Sequence, residues 1–417
     1  MRWLLILFTL MICSCSEDST SIPYVEPSGD IPCVSIVTDN NVGVVSKEYS
    51  VDATITLSSK DEDDVSFHGK IRGRGNATWR EYPKKPYKIT LDSKQSIFGF
   101  SPSKNWILLA EYSDKSLMRT AFMSELARVV GMTPVIGYQH VEVYVDNEYM
   151  GVYLLTEQVE RDNGRVKVAR DGYIIEDDNY YSDESLYFTT KNFSFNYTFK
   201  HPDPDEDEIL RGDVNYVFIV SYLNALEEAL LRISWDTETY RKYLDVKSFA
   251  RWFVVAEVTQ NWDPNHYYAL SSRGDKLKKI PFWDAEWTFG LALGDDINTG
   301  WAQVPTEPRI DVEIWSNRKY FDYLLSDPVF LEEVDQQFQI LKSHKSDIVA
   351  TIKAKAESIR AAQENNFKRW PILDEYVGAG LIALGSWDEE LAYILSFFEQ
   401  RMAWMDEWLK SQKKIKL

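Results

Sequence analysis

The chain has 417 residues, of which 44% are hydrophobic and 14% aromatic, and its formal net charge at pH 7 is -19. This apolar content is enough for a sizeable core and excludes a compositionally disordered chain. The acidity argues against a general nucleic-acid-binding protein, because such a protein needs a basic face to replace phosphate counterions. It also makes any local cluster of basic residues informative.

The first fifteen residues have the pattern of an export signal. Arg2 precedes an apolar stretch, Trp3 to Ile12, that is too short to span a bilayer. The next residues resemble a bacterial lipobox, which predicts that Cys15 becomes the lipidated N-terminus, and the acidic residues that follow resemble a surface-export signal. We therefore expect an exported protein at the outer membrane or cell surface, held to the membrane only by this anchor. An ordinary cleaved signal peptide is the alternative.

The rest of the chain divides into three predicted regions. Residues 16–32 are polar and proline-containing, which predicts a flexible tether. Residues 33–200 are rich in strand patterns, and residues 201–417 are mainly helical, so we predict an α+β protein. An acidic run at 61–64 is interpreted as a solvated turn between strands. Residues 141–145 and 150–156 are predicted to form a hairpin around Asp146 and Asn147. The predicted helices cover 114–130, 207–232, 245–260, 319–343, 345–366 and 386–413.

A basic turn stands out in this acidic chain. Residues 70–88 read KIRGRGNATWREYPKKPYK, with seven basic residues and one acid. Gly73 and Gly75 permit a tight turn, whose free backbone N–H groups, together with arginine side chains, would form an anion-binding concavity. A following strand would present a lysine to the same place. The pattern favours a polyphosphate site, and a basic surface hairpin is the alternative.

Two aspartates mark a second candidate site. Asp263 follows a predicted helix and precedes Pro264, and Asp284 follows a predicted strand hairpin. Because a hairpin returns its ends to one neighbourhood, the two carboxylates can share a site. Phosphoryl transfer uses such a pair, one to orient or deprotonate the acceptor hydroxyl and one to hold Mg²⁺. The alternative is that each aspartate only caps a turn.

Several motifs resemble those of the CotH (spore coat protein H) kinase family, in the same order. Residues 72–79 (RGRGNATW) resemble its RGRGNSTW signature, and residues 84–89 resemble its KKPYKI strand. Residues 106–119 (WILLAEYSDKSLMR) resemble its WxLLAxYxDKSLxRN element. Residues 149–160 resemble YxGVYLLxEQxE, and residues 283–290 (WDAEWTFG) are similar to WDxDxxFG. The resemblance extends over residues 35–340.

The resemblance implies a secreted, atypical protein-kinase-like fold with two lobes that hold ATP and Mg²⁺ or Mn²⁺ between them. The residues it implies as ligands of ATP are Arg74, Lys84, Lys85, Lys88 and Glu157. It further implies Asp263 as the base for the acceptor hydroxyl of a protein substrate and Asp284 as a metal ligand. Glu125 is a candidate partner for the strand lysine.

The chain also departs from the pattern of kinases. Position 268 is Tyr where kinases place a metal-binding Asn. Either Asn265 substitutes as the metal ligand, or the second metal site is missing. Glu286 stands where the family often has Asp. These departures leave two further hypotheses open: a surface scaffold or glycan-associated lipoprotein that retains the fold without the chemistry, or a different phosphoryl chemistry.

Overall fold

Strands dominate the first half of the chain and helices the second, which confirms the predicted α+β class. A computed structural model describes residues 25–60, 62–204, 209–261, 266–280, 282–292, 319–378 and 380–415. Within them the strands are β1 Cys33–Thr38, β2 Val51–Ser59, β3 Glu62–Gly73, β4 Tyr87–Gln95, β5 Ser103–Leu109, β6 Tyr138–Val145, β7 Glu148–Glu157, β8 Tyr173–Asp177, β9 Tyr187–Thr189, β10 Asn196–His201, β11 His266–Leu270 and β12 Lys278–Lys279. The helices are α1 Ala77–Glu81, α2 Arg119–Val129, α3 Val214–Leu231, α4 Val246–Thr259, α5 Lys319–Leu324, α6 Pro328–Ser343, α7 Lys345–Ser358, α8 Arg360–Arg369 and α9 Trp387–Ile415.

The first seven strands close into a barrel in the order β1-β2-β3-β4-β5-β7-β6. Its neighbours pair antiparallel except at the closing seam, where β1 runs parallel to β6. Alternate residues point inward along each strand, so Val34, Ile36 and Ile55 are fully buried in the barrel core. The predicted hairpin around residues 146–147 forms, and both turn residues have positive φ, 49° and 66°, as a tight hairpin turn with right-handed strand twist requires.

A second, five-stranded sheet has the order β12-β11-β8-β10-β9. It therefore combines strands from both sides of residue 200. An apolar cluster joins this sheet to the barrel, with Ile107 and Leu154 from the barrel packed against Ile174, Ala269 and Ile280 from the sheet. This contact holds the open end of β3 and β4 next to the hairpin of β11 and β12.

The helices differ from the prediction mainly where one periodic stretch is interrupted. The predicted 319–343 helix is two helices, because Pro328 begins α6 and Asp327 caps it with a side-chain bond to the amide of Val329. The predicted 345–366 helix breaks at Ile359 into α7 and α8. The prediction of a solvated turn at 61–64 is wrong in part, because residues 62–64 begin β3. Among the described residues, the helices are all too short or too polar to cross a membrane.

Candidate active site

A cavity of about 810 Å³ lies where the ends of β3 and β4 face β8, β11 and the segment 283–287. Its charged side chains come in two sets. The basic set is Lys47, Arg72, Arg74, Lys88 and Lys200, and the acidic set is Glu48, Glu176, Asp178, Asp183, Glu184, Asp284 and Glu286. The cavity therefore presents cations and carboxylates to one volume, which is what a metal-bound polyphosphate requires.

The basic wall depends on strand register. Arg72 on β3 lies directly opposite Lys88 on β4, so both side chains point to the same face of the barrel. Among the described residues, the side-chain amine of Lys88 has neither a hydrogen bond nor an ion pair. Burial, followed by repulsion from Arg72, lowers the pKa of Lys88. The protein thus holds an uncommitted ammonium group where an anionic ligand would stabilise it.

The glycine turn lies beside these cations, but it does not offer the free backbone N–H groups that were predicted. Gly75 has φ of +83°, and an added Cβ would lie 2.4 Å from the Thr78 hydroxyl, so the position requires glycine. The backbone N–H of Gly73 donates to Ser46 and that of Arg74 donates to Pro86. The prediction of an anion site made by free N–H groups is therefore wrong for these two residues, and the positive charge comes from side chains.

Two of the predicted ligand lysines lie outside this cavity. The amine of Lys84 is buried, donating to the Val152 carbonyl at 2.5 Å and to Asn366 Oδ1 at 3.0 Å. It links the barrel to α8. The amine of Lys85 donates to the Trp79 carbonyl and lies over the indole ring of Trp79, 5.5 Å from its centre. Both amines are bonded within the protein, and neither residue lines the cavity.

Glu157 and Glu125 are also committed elsewhere. The Glu157 carboxylate accepts the Gly137 N–H at 2.8 Å and lies 3.8 Å from Arg165. Side chains alternate along a strand, so the next residue, Gln158, turns toward the cavity instead and lines it. Glu125 does not pair with a strand lysine: it accepts a hydrogen bond from Tyr138 and lies 3.6 Å from the amine of Lys355.

Asp284 lines the cavity in a conformation that is uncommon for a residue other than glycine. Its φ is +54°, which aspartate tolerates better than most residues but at some cost in energy. The side chain is 29% exposed, and its Oδ2 lies 3.7 Å from Nη1 of Arg74. Burial raises the pKa of Asp284, and the Arg74 guanidinium opposes the rise. The basic and the acidic side chains of the cavity therefore come together at Arg74 and Asp284.

The helix α2 holds the loop that carries Asp284. The N–H of Ala285 donates to the Thr120 hydroxyl at 3.0 Å, and Nε of Arg119 donates to the Thr288 carbonyl at 3.0 Å. Arg119 is in turn paired with the buried Asp114 at 2.5 Å. Asp114 thus accepts hydrogen bonds from the amide and the guanidinium of Arg119. The end of the 106–119 motif therefore positions the loop, whereas Ile107, in its strand, lines the cavity.

A buried carboxyl cluster lies behind Asp284. Neither oxygen of Glu286 has a hydrogen-bond partner among the described residues, although the side chain is buried. Burial and the charges of Asp284 and Glu111 raise the pKa of Glu286 well above its usual range. Burial and the Asp114 carboxylate raise the pKa of Glu111 to about 8. Glu111 was not among the predicted site residues, and its only signal in the sequence is an acid that follows an apolar strand.

This cluster predicts how stability depends on pH. A carboxyl whose pKa is raised on folding keeps its proton in the folded state at pH values where the unfolded state has lost it. For Glu111 that window runs from about 4.5 to about 8, and the unfolding free energy falls as pH rises through it, by up to about 1.4 kcal/mol per pH unit and carboxyl. We expect Glu286→Gln to gain stability relative to the parent protein between pH 5 and pH 7, in urea unfolding at both values.

The matched control is Glu81→Gln, the same change in an exposed helix. Its urea midpoint is expected to shift in parallel with that of the parent protein at both pH values. If the urea midpoint of the Glu286→Gln protein changed between pH 5 and pH 7 as that of the parent protein does, this would contradict the assignment of a protonated carboxyl to this cluster.

The donor atoms of this site fit a hard divalent cation. Mg²⁺ prefers oxygen ligands and usually binds one or two carboxylates together with substrate phosphates and water. Asp284 and Glu286 provide such carboxylates, and the unpartnered buried oxygens of Glu286 are groups that a cation would satisfy. In the part of the chain that the structure describes, no group of three or more His, Cys, Asp or Glu residues is arranged to hold a metal by itself. The predicted Asp263, Asn265 and Cys15 lie outside the described residues.

Comparison with known proteins bears on this geometry. Residues 71–405 match the family model described as CotH kinase protein. The match covers most of the chain and includes both walls of the cavity. No curated protein matches the chain at a significant level.

Proposed function

Because the chain belongs to the CotH kinase family, we propose that it is a metal-dependent phosphotransferase that moves the terminal phosphoryl group of ATP to a protein hydroxyl. The observation that carries the proposal is the cavity in which Arg72, Arg74 and Lys88 face Asp284 and Glu286. We also propose the kinase-like, two-lobed arrangement for this fold, with the nucleotide between the barrel and the helical half.

Each wall has a role in this proposal. Lys88 and the two arginines bind the phosphates of ATP through charge-assisted contacts. Gln158 and Val159, where the chain leaves β7, line the same cavity, and Oε1 of Gln158 is buried with no hydrogen-bond partner among the described residues. Val159 is suited to an apolar contact with the adenine base, and Gln158 to a polar one. Asp284 and Glu286 would hold Mg²⁺ or Mn²⁺, which screens the charge of the phosphates when bound.

The transfer itself forms a bond between the acceptor oxygen and the terminal phosphorus and breaks the bond from that phosphorus to the bridging oxygen, so that ADP leaves. The acceptor hydroxyl loses its proton. By resemblance to the family we assign that proton to Asp263. The protein's contribution is therefore positioning and electrostatic stabilisation, which dominate phosphoryl transfer. The export signal and the anchor at Cys15 are part of the proposal, so the proposed reaction occurs outside the cytoplasm.

The test is transfer of radiolabelled phosphate from ATP to protein in the presence of Mg²⁺ or Mn²⁺. Incorporation that requires the metal and the intact cavity supports the proposal. Calorimetry that shows glycan binding and no nucleotide binding would instead support a scaffold that has kept the fold without the chemistry.

Lys88→Met separates a ligand-binding role from a structural one. We expect the apparent affinity for ATP to fall about 10- to 100-fold, because a hydrogen bond to a charged group is worth roughly 1.5–3 kcal/mol. The unfolding free energy without ligand is expected to be unchanged or higher, because the pKa of Lys88 is lowered in the folded protein. Calorimetry and urea unfolding measure the two quantities.

Lys104→Met is the matched control, since Lys104 is exposed on β5 of the same barrel. It is expected to leave both quantities unchanged. A Lys88→Met protein that binds ATP normally but unfolds more easily would show that Lys88 is structural.

A further inference from the structure

A second cavity, of about 410 Å³, lies apart from the candidate active site. It is bordered by residues 132–134 after α2, by residues 165–167, by the start of α4 and by the β11–β12 hairpin. The apolar cluster that joins the barrel to the second sheet lies between the two cavities. Its Val159 and Trp283 line the first cavity, and its Val166 and Ala269 line the second.

The charge of this cavity is opposite to that of the chain. The chain has 65 acidic and 46 basic residues, so a surface chosen at random would be mostly acidic. The basic side chains lining the cavity are Arg165, Lys167, Lys247, Arg251, Lys278 and Lys279. Its one acidic side chain is Asp245, whose Oδ1 accepts the N–H of Ser248 and so caps α4. The carboxylates that would bind a metal in the first cavity have no counterpart among the residues that line this one.

Three of these cations are not used by the protein. Among the described residues, the side-chain amines of Lys167, Lys247 and Lys278 have neither a hydrogen bond nor an ion pair. Each alone would be an ordinary solvated lysine. Three such lysines around one cavity differ from a single solvated lysine, because their like charges repel one another. An anion or salt relieves this repulsion.

The buried members of the set make the cavity a defined site rather than a charged patch. Arg165 is buried; its Nη1 donates to Glu160 and its Nε lies 3.8 Å from Glu157, while its Nη2 has no hydrogen-bond partner among the described residues. Arg251 is oriented by a bond from Nη1 to the Gly131 carbonyl and by a bond from Nε to Gln337 at 3.3 Å. Two guanidinium groups are therefore held in place in the same cavity as three ammonium groups that have no partner among the described residues, a combination suited to planar and tetrahedral oxyanions.

We propose that this second cavity binds a small organic anion that carries two or more phosphate or sulfate groups. The lysines and arginines would contact the anionic groups, and the apolar lining from Met132, Pro134, Val166 and Ile280 would contact the organic part. The proposal does not depend on the phosphotransferase activity, since it concerns different residues on the other side of the apolar cluster.

The test is calorimetric titration of the full-length protein with inorganic pyrophosphate at low salt. The double variant Lys247→Gln/Lys278→Gln removes two uncommitted charges that are exposed or half-buried, so folding is expected to be unaffected. We expect the wild-type protein to bind one more equivalent of pyrophosphate than the variant, or to bind that equivalent at least about 10-fold more tightly. ATP binding at the first cavity is expected to be the same in both proteins.

The matched control is Lys242→Gln/Lys276→Gln, which removes the same charge at two exposed positions that do not line the cavity. It is expected to behave like the wild-type protein. Equal binding by the wild-type protein and the cavity variant, an equal loss in the control, or no pyrophosphate binding by the wild-type protein would each overturn the proposal. Parallel titrations with a bisphosphorylated sugar and a disulfated disaccharide distinguish phosphate from sulfate ligands.

Discussion

Asp284→Ala is expected to reduce phosphoryl transfer by at least about 100-fold, because it removes one of the two cavity carboxylates that would hold the metal, the one that lies 3.7 Å from Arg74. The same assay of labelled phosphate transfer measures the change. In the proposed mechanism the loss occurs in the transfer step itself, so raising the ATP concentration is not expected to restore activity.

The backbone at this position requires a second variant. Asp284 has φ of +54°, and alanine is less tolerant of that conformation than aspartate or asparagine. Asp284→Asn keeps the shape and the backbone preference while removing the charge, and we expect it to unfold like the parent protein and to lose activity as well. Asp275→Ala, in the exposed turn of the β11–β12 hairpin, is the matched control and should retain full activity. Full activity in both Asp284 variants would rule out the proposed role.

Arg401→Met is expected to lower the unfolding free energy by about 3–5 kcal/mol, because it leaves Glu257 buried without this cation. Nη2 of Arg401 donates to Glu257 Oε1 at 2.6 Å, and both side chains are fully buried. Nε and Nη2 also donate to the Glu257 carbonyl, at 3.1 and 2.7 Å. The guanidinium therefore joins α9 to the last turn of α4, where free carbonyls favour a cation. Urea unfolding measures the change.

Methionine is chosen because it keeps most of the volume, so the effect reports the lost charge rather than a cavity. The control is Arg360→Met, which breaks an exposed pair with Glu357 and should cost less than about 1 kcal/mol. A similar small cost for Arg401→Met would mean that the buried pair contributes little to stability.

Local sequence patterns predicted much of the architecture. Alternating residues predicted the β6–β7 hairpin, and Asp146 and Asn147 adopt the backbone that its turn demands. The helix predictions held where an apolar face is long and uninterrupted, as in α4 and α9. They merged helices where a cap and a proline interrupt the pattern, as at Asp327 and Pro328, because periodicity alone does not register the break.

The candidate site shows the same division. The basic turn and Asp284 were identified from residue types and from the resemblance to a family, and both line the cavity. The choice among Lys84, Lys85 and Lys88 could not be made from sequence, since the three are close in the chain and chemically identical. The role of each lysine depends on partners that are distant in the sequence. The Lys84 amine donates to Asn366, on α8, whereas the β3–β4 register places Lys88 opposite Arg72.

The sequence by itself determined which groups this protein has for chemistry: a cationic turn in an acidic chain, acids after a hairpin, and the motif order of the CotH kinase family. Only the tertiary structure decided which of those groups face a common volume. The reason is that burial, strand register and pairing across hundreds of residues determine whether a charge is satisfied inside the protein or left for a ligand. Glu111 and the second basic cavity emerge only at that level.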